Sequence, residues 1–357
     1  MNLPTLSWAS DPTNSPRQEW TVTHTLEHES GVTVVAMSPS GQEVAAGGIL
    51  SAGVSIWGVE RGTLLRQLKG MKGSAQALTY SPDGRFFAVG RGIVSSTDIC
   101  VHVFQAGTDT ILQRLQPPPI TTRFAQKGVA AVESLQYSPD SQSLAVGFTD
   151  GAIGIYEAAT GQLKKATSLP SFVEGPVAYS PDGKLLAFGQ WKKEEGELFE
   201  HHVIQLLATE RNEVVKTLSG HTGFISALAF DPHAKWLASG TTTGTIREAR
   251  DKKTNQMARK RNDDPIRIWD IETGMTVKEL GGHTAEVTAL AFFQDGHYLV
   301  SGSHDKTLKI WDVERGELLS TLTGHNDLID SIAVTADGKH LVSGGGNPKI
   351  KIWERHP

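Results

Sequence analysis

A closed all-β ring of seven four-stranded units is the fold this sequence predicts, and three observations carry the prediction. First, one short phrase recurs: SPSG at 38, SPDG at 81, SPDS at 138, SPDG at 180, DPHA at 231, FQDG at 293 and TADG at 335. Successive copies start 43, 57, 42, 51, 62 and 42 residues apart, which reads as one unit lengthened three times by insertions. Second, each copy is flanked by short runs in which apolar and polar residues alternate, the mark of half-buried strands. Third, the last unit is one strand short, and the start of the chain supplies a matching run. Four short antiparallel strands at a period of roughly 40–45 residues describe the blade of a β-propeller, here seven-bladed.

The elements follow in order within a unit. Strand a is the run before the phrase, such as VTALAF at 287–292, and the phrase is a tight turn rich in Pro, Asp and Gly. Strand b follows (HYLVSG, 297–302), then strand c (TLKIWD, 307–312) and, after a turn such as ERG, strand d (LLSTLTGH, 318–325). The seventh unit stops four residues after Trp353, with strands a, b and c only. EWTVTHTLEH at 19–28 aligns with GELLSTLTGH at 316–325, so this segment is expected to pair with the strand ending at Trp353 and remove an open edge. Residues 1–18 form a polar tail that includes Trp8, and 19–357 form the ring.

GH at 220–221, 282–283 and 324–325, with WD at 269–270 and 311–312, give the chain its family resemblance. Looser forms stand at 56–58 (IWG) and 352–354 (IWE). The sequence resembles the WD-repeat (WD40) family of β-propellers over residues 19–357, and the frequent SPDG turn is most similar in style to bacterial members. Blades two to four depart from the pattern: Phe104 and Tyr156 replace the tryptophan, and the fourth blade has only VIQLLA. The resemblance implies the same closure by the first strand. It also implies a structural tetrad in the sixth blade of His283, Ser301, Asp305 and Trp311, in which Asp holds His, His bonds Ser, and Ser bonds the indole N–H.

Ser301, His304 and Asp305 lie within five positions, which could suggest a hydrolase triad. Repetition argues against it. Ser239 and Ser343 occupy the serine position, and His221 and His325 the histidine position, of the neighbouring blades. The fifth and seventh blades put Thr243 and Asn347 at the aspartate position, and blades one to four put Ala46, Val89, Val146 and Phe188 at the serine position. His304 is read as a turn residue beside Asp305.

Other chemistry is sparse. No phosphate loop, H-E-x-x-H or G-x-S-x-G motif occurs. His24 and His28 are two ligands at most, and His201 and His202 read as an exposed pair in a loop, so neither pair makes a metal site. No cofactor is expected. The net charge of −5 over 357 residues recruits neither nucleic acid nor an anionic membrane as a whole. Cys100 is the single cysteine, so no internal disulfide can form. The start of the chain has no secretory pattern, and no apolar run is long enough to span a membrane. A soluble, cytoplasmic protein is expected.

The extra residues lie at 91–98, 116–127, 190–202 and 241–264, all in b–c or d–a connections. In an antiparallel blade these loops share one face of the disk, the top in this family. The 241–264 segment carries seven Lys and Arg against four Asp and Glu and reads as a solvated, mobile loop. The expected function is a noncatalytic protein-interaction scaffold, with Trp191, Arg250, Lys252, Lys253, Arg259, Lys260 and Arg261 as candidate partner contacts. Two rivals stand. A nucleic-acid-associated protein would use the basic 244–264 insertion, although no aromatic residue interleaves its cations. A small-ligand receptor or enzyme would use the central channel, although the innermost strands are small and apolar apart from Glu133 and Asp330.

Overall fold

The computed structural model describes residues 19–48, 53–69, 71, 73–92, 101–119, 131–149, 151–168, 173–192, 201–242, 246–250, 257–261 and 266–356. The first strand is β1 (Glu19–Glu27). Blade one is β2 (Val32–Met37), β3 (Glu43–Gly48), β4 (Gly53–Gly58) and β5 (Leu64–Lys69). Blade two is β6 (Ala75–Tyr80), β7 (Phe86–Arg91), β8 (Val101–Gln105) and β9 (Ile111–Leu115). Blade three is β10 (Val132–Tyr137), β11 (Ser143–Phe148), β12 (Ala152–Glu157) and β13 (Leu163–Ser168). Blade four is β14 (Val173–Tyr179), β15 (Leu185–Lys192), β16 (His201–Ala208) and β17 (Glu213–His221). Blade five begins with β18 (Ile225–Phe230) and β19 (Trp236–Thr241); a separate pair, β20 (Ile246–Arg250) and β21 (Met257–Arg261), then precedes its β22 (Ile266–Asp270) and β23 (Thr276–Leu280). Blade six is β24 (Val287–Phe292), β25 (Tyr298–Ser303), β26 (Leu308–Asp312) and β27 (Glu317–Leu322). Blade seven is β28 (Ser331–Val334), β29 (His340–Gly344), β30 (Lys349–His356) and, as its fourth strand, β1.

Closure follows the expectation. β1 runs antiparallel to β30 from Glu19 opposite His356 to Glu27 opposite Lys349. Leu26 joins a core cluster that includes Ile350, Ile352 and Trp57, so the first strand also ties blade seven to blade one. Trp20 packs against Phe293 of blade six with ring centroids 5.8 Å apart.

The ring is held between blades rather than within them. Each of the seven apolar clusters spans two neighbouring blades. The aromatic of strand c always faces the preceding blade: Trp311 joins Ile266 and Leu280, and Trp353 joins Leu308 and Leu322. A register shift on strand a pushes out Thr33, Ser226 and Thr288, whose hydroxyls donate to the next blade at Ala75 O (2.6 Å), Val287 O (2.5 Å) and Ile329 O (2.5 Å). Each hydroxyl satisfies a carbonyl at a blade junction. In blades two and three the corresponding residues are Gln76 and Glu133, both exposed. Partial burial by its neighbours nevertheless raises the Glu133 pKa.

The recurring SPDG phrase is a self-contained hydrogen-bonded turn. Ser81 Oγ donates to Asp83 Oδ1 at 2.6 Å and accepts from Phe86 N at 2.9 Å. Ser138, Ser180 and Thr335 repeat this with Asp140, Asp182 and Asp337. In DPHA, Asp231 takes both parts, accepting from Trp236 N and from His233 N. The last position of the phrase requires a left-handed backbone, which explains Gly84 at φ +72°; Ala234 adopts φ +55° there without glycine's freedom.

Candidate functional site: the top face

Two strands and two connections at the top of blade six set up the tetrad. The GH loop before β24 carries His283, β25 carries Ser301, the b–c turn carries Asp305 and β26 carries Trp311. His283 Nδ1 lies 2.7 Å from Asp305 Oδ2, and His283 Nε2 lies 2.7 Å from Ser301 Oγ. Trp311 Nε1–H donates to Ser301 Oγ at 2.8 Å. The carboxylate can only accept, so Nδ1 carries the proton, Nε2 accepts from the serine hydroxyl, and the serine oxygen accepts from the indole. Asp305 also accepts from Thr284 N, Thr307 N and Thr307 Oγ1. Burial works to raise its pKa, but the bonds from His283 and Thr307 outweigh this and hold it far below the usual carboxylate range.

This order of groups matches a serine hydrolase relay, yet its placement opposes that chemistry. Ser301 is fully buried, and its oxygen already receives an indole N–H. A nucleophile needs an open approach for the reacting carbon. The same relay without aspartate recurs beside it: His221 and Trp269 meet Ser239 at 2.6 and 2.7 Å, and His325 and Trp353 meet Ser343 at 2.7 and 2.8 Å. Asn347 turns to the backbone, accepting from Lys349 N at 3.0 Å. Thr243 lies outside the described residues. In blades one to four, Ala46, Val89, Val146 and Phe188 fill the serine position and are buried, so apolar packing replaces the relay.

His304 is a correction. It is more than a turn residue: its Nδ1 lies 3.1 Å from Glu286 Oε2 and its Nε2 lies 2.9 Å from Asp330 Oδ1, bridging the starts of strand a in blades six and seven. Asp330, one of two charged residues assigned to the channel strands, is thereby engaged. Nothing local in the sequence signals this, because the partners come from separate loops.

Blades four and five contain the other corrections. β15 and β16 extend into the 190–202 segment, so Trp191 belongs to a strand and is half-buried opposite His202. His202 is fully buried, contrary to an exposed loop pair. Its ring packs against Phe224 with centroids 4.5 Å apart, and Phe224 remains 46% exposed. Phe224 was not singled out by sequence; a lone aromatic in a polar GHTGF connection gives no periodic signal. The Phe224 backbone is tied to the start of the blade-five insertion, with Thr242 N donating to Phe224 O at 3.0 Å. That insertion is not an irregular loop throughout: β20 and β21 pair antiparallel, with Arg247 opposite Lys260, Glu248 opposite Arg259, and Arg250 opposite Met257. Arg259, Lys260 and Arg261 therefore stand on β21, whereas Lys252 and Lys253 lie outside the described residues. The hairpin and Phe224 share the top face because b–c and d–a connections leave an antiparallel blade at the same end.

Two buried histidines away from the tetrad give an acid-stability prediction. Burial, with Arg91 and Arg114 nearby, lowers the His102 pKa from 6.5 to about 4, and burial with Lys351 does the same for His325. The unfolded chain then binds protons between 6.5 and about 4 that the folded chain refuses, so stability falls as pH falls through that window. Below it a second loss begins. At Asp140 and Asp337 the hydroxyls of Ser138 and Thr335 lower the pKa; at Asp83 and Asp182 burial opposes, but hydrogen bonds from Ser81 and Ser180 win. These carboxylates stabilise the fold above their unfolded pKa and stop doing so as they protonate. Urea melts from neutral pH downward are expected to show this two-stage decline; a midpoint unchanged across the histidine window would refute the first stage.

A ring of seven four-stranded blades, tied at the top by His–Ser–Trp relays and closed by its own first strand, defines a repeat-built propeller. The sequence profile described as WD domain, G-beta repeat matches residues 20–57, 212–247, 274–312 and 316–354, and that of the Anaphase-promoting complex subunit 4 WD40 domain matches 94–174. The chain belongs to the WD-repeat family of β-propellers. A guanine nucleotide-binding protein subunit beta-1 from Caenorhabditis briggsae is 26% identical over 199 residues, covering 54% of this chain and 51% of the relative. The match thus spans about half the length of that protein. Among the described residues no helix is long and apolar enough to cross a membrane.

Proposed function

We propose that this protein is a noncatalytic scaffold that docks a protein partner across the top face of blades four and five. The observation that carries the reading is the meeting there of a half-exposed Phe224, Trp191 beside His202, and a basic hairpin anchored next to Phe224. Aromatic side chains on a rigid support supply interface anchors. Arg250, Lys252, Lys253, Arg259, Lys260 and Arg261 would steer an acidic partner surface, chiefly through its association rate. The names of the similar proteins, a G-protein beta subunit and a subunit of the anaphase-promoting complex, describe members of larger assemblies and support the scaffold reading. The lone Cys100 fits a reducing, cytoplasmic setting.

Replacing residues 244–264 with a short Asn-Gly turn tests it. β19 and β22 pair directly without the hairpin, so the thermal melt is expected to change little. Binding of partners recovered with the parent protein should fall at least about tenfold, or 1.4 kcal/mol. Undiminished binding by the shortened protein, with contacts mapping to the opposite face, would overturn the reading.

A further inference from the structure

We infer that the β20–β21 hairpin is a strand-addition site, at which an extended acidic segment of a protein partner pairs with the outer edge of β21. The inference rests on the top-face reading and specifies what is recognised there. β20 and β21 form a two-stranded sheet of their own, and among the described residues neither edge is paired with a further strand. An isolated two-stranded hairpin is at best marginally stable in water, and a third strand is the ordinary way to consolidate it. Main-chain hydrogen bonds to such an edge give affinity, and side chains give selectivity.

Charge selects the occupant. β21 carries Arg259, Lys260 and Arg261 in succession, so the strand that offers the edge is strongly basic. Arg247 stands directly opposite Lys260 in the register, and like charges at such positions disfavour pairing, whereas an added acidic strand would favour it. The 241–264 segment has a net charge of +3 within a chain of −5, so the remainder carries −8. A second copy of the ribbon would set cations against cations. A nucleic acid would bring a phosphate backbone against the acidic remainder. An acidic peptide strand needs only the ribbon, and Phe224, half exposed and bonded through its carbonyl to Thr242 N at the start of the insertion, is placed to receive a flanking residue.

The full chain can be tested by fluorescence anisotropy at low salt with a labelled peptide of about ten residues alternating Glu and Thr, a composition suited to strands. Three further probes accompany it: the same peptide N-methylated at alternate residues, a Lys-for-Glu peptide, and a mixed-sequence DNA duplex. The Glu-Thr peptide is expected to bind, and alternate N-methylation, which removes backbone donors but no charge, should weaken it at least about tenfold. Arg259→Glu with Lys260→Glu and Arg261→Glu should weaken it similarly while leaving the melt unchanged. Equal binding of the N-methylated peptide would reduce the site to simple charge attraction and overturn strand addition. Tighter binding of the duplex, or no binding of the Glu-Thr peptide, would also overturn it. None of these results touches the scaffold reading, which falls only if removal of 244–264 leaves partner binding intact.

Discussion

Deleting residues 1–28 should leave a chain that no longer folds as a soluble monomer. β1 contributes eight register pairs to β30, the buried Leu26 between blades seven and one, and Trp20 against Phe293. Losing a buried leucine alone costs about 2–5 kcal/mol and a packed tryptophan about 3–5. Together with the strand hydrogen bonds, each worth about 0.5–1.5 kcal/mol net, this rivals the whole stability of an ordinary domain, about 5–15 kcal/mol. The deletion also exposes the edge of β30, a template for pairing with other chains. Size-exclusion chromatography should report aggregates, and calorimetry should report no native transition. A monomer melting at the parent temperature would show that the ring closes by other means.

The second large effect is expected at the sixth-blade relay. Trp311→Ala should cost about 3–5 kcal/mol, because the indole is fully buried against blade five and its loss leaves a void and deprives the Ser301 oxygen of its indole donor. Ser301→Ala or Asp305→Ala should cost about 1–3 kcal/mol, the penalty for orphaning a buried partner. The aspartate variant strands His283 Nδ1–H together with Thr284 N and Thr307 N. Chemical denaturation measures all three. A hydrolytic activity abolished by Ser301→Ala at unchanged stability would instead make the relay catalytic.

Much of the architecture was legible because its determinants are local and repeated. A phrase such as SPDG encodes a hydroxyl, a carboxylate and a left-handed position in four consecutive residues, and the turn forms from those alone. The missing fourth strand was legible because EWTVTHTLEH has the pattern of its counterparts in other blades. The top face was less so. The strands of the basic hairpin lack apolar alternation, so charge suggested a loop where backbone pairing makes a ribbon. Trp191 and His202 belong to extensions of β15 and β16 that no turn signal announces. The bridging of Glu286 and Asp330 by His304, and the donation from Thr288 to Ile329, depend on the juxtaposition of blades, which no window of sequence contains.

The clasp formed by β1 and β30 also imposes an order on synthesis. Thr21 and His356, hydrogen-bonded in the finished ring, are 335 positions apart in the chain. At about 5–20 residues per second, a ribosome needs on the order of 20–70 s to make that separation. Throughout that time the first strand has emerged and has no partner, while six blades can stack one after another. β30 must then find β1, so the ring closes only after its seventh blade has been made. Val22 and Thr23, with the rest of a strand that belongs to blade seven, wait unpaired while the other blades assemble, and the nascent chain must be kept from pairing them with a neighbour on the same message.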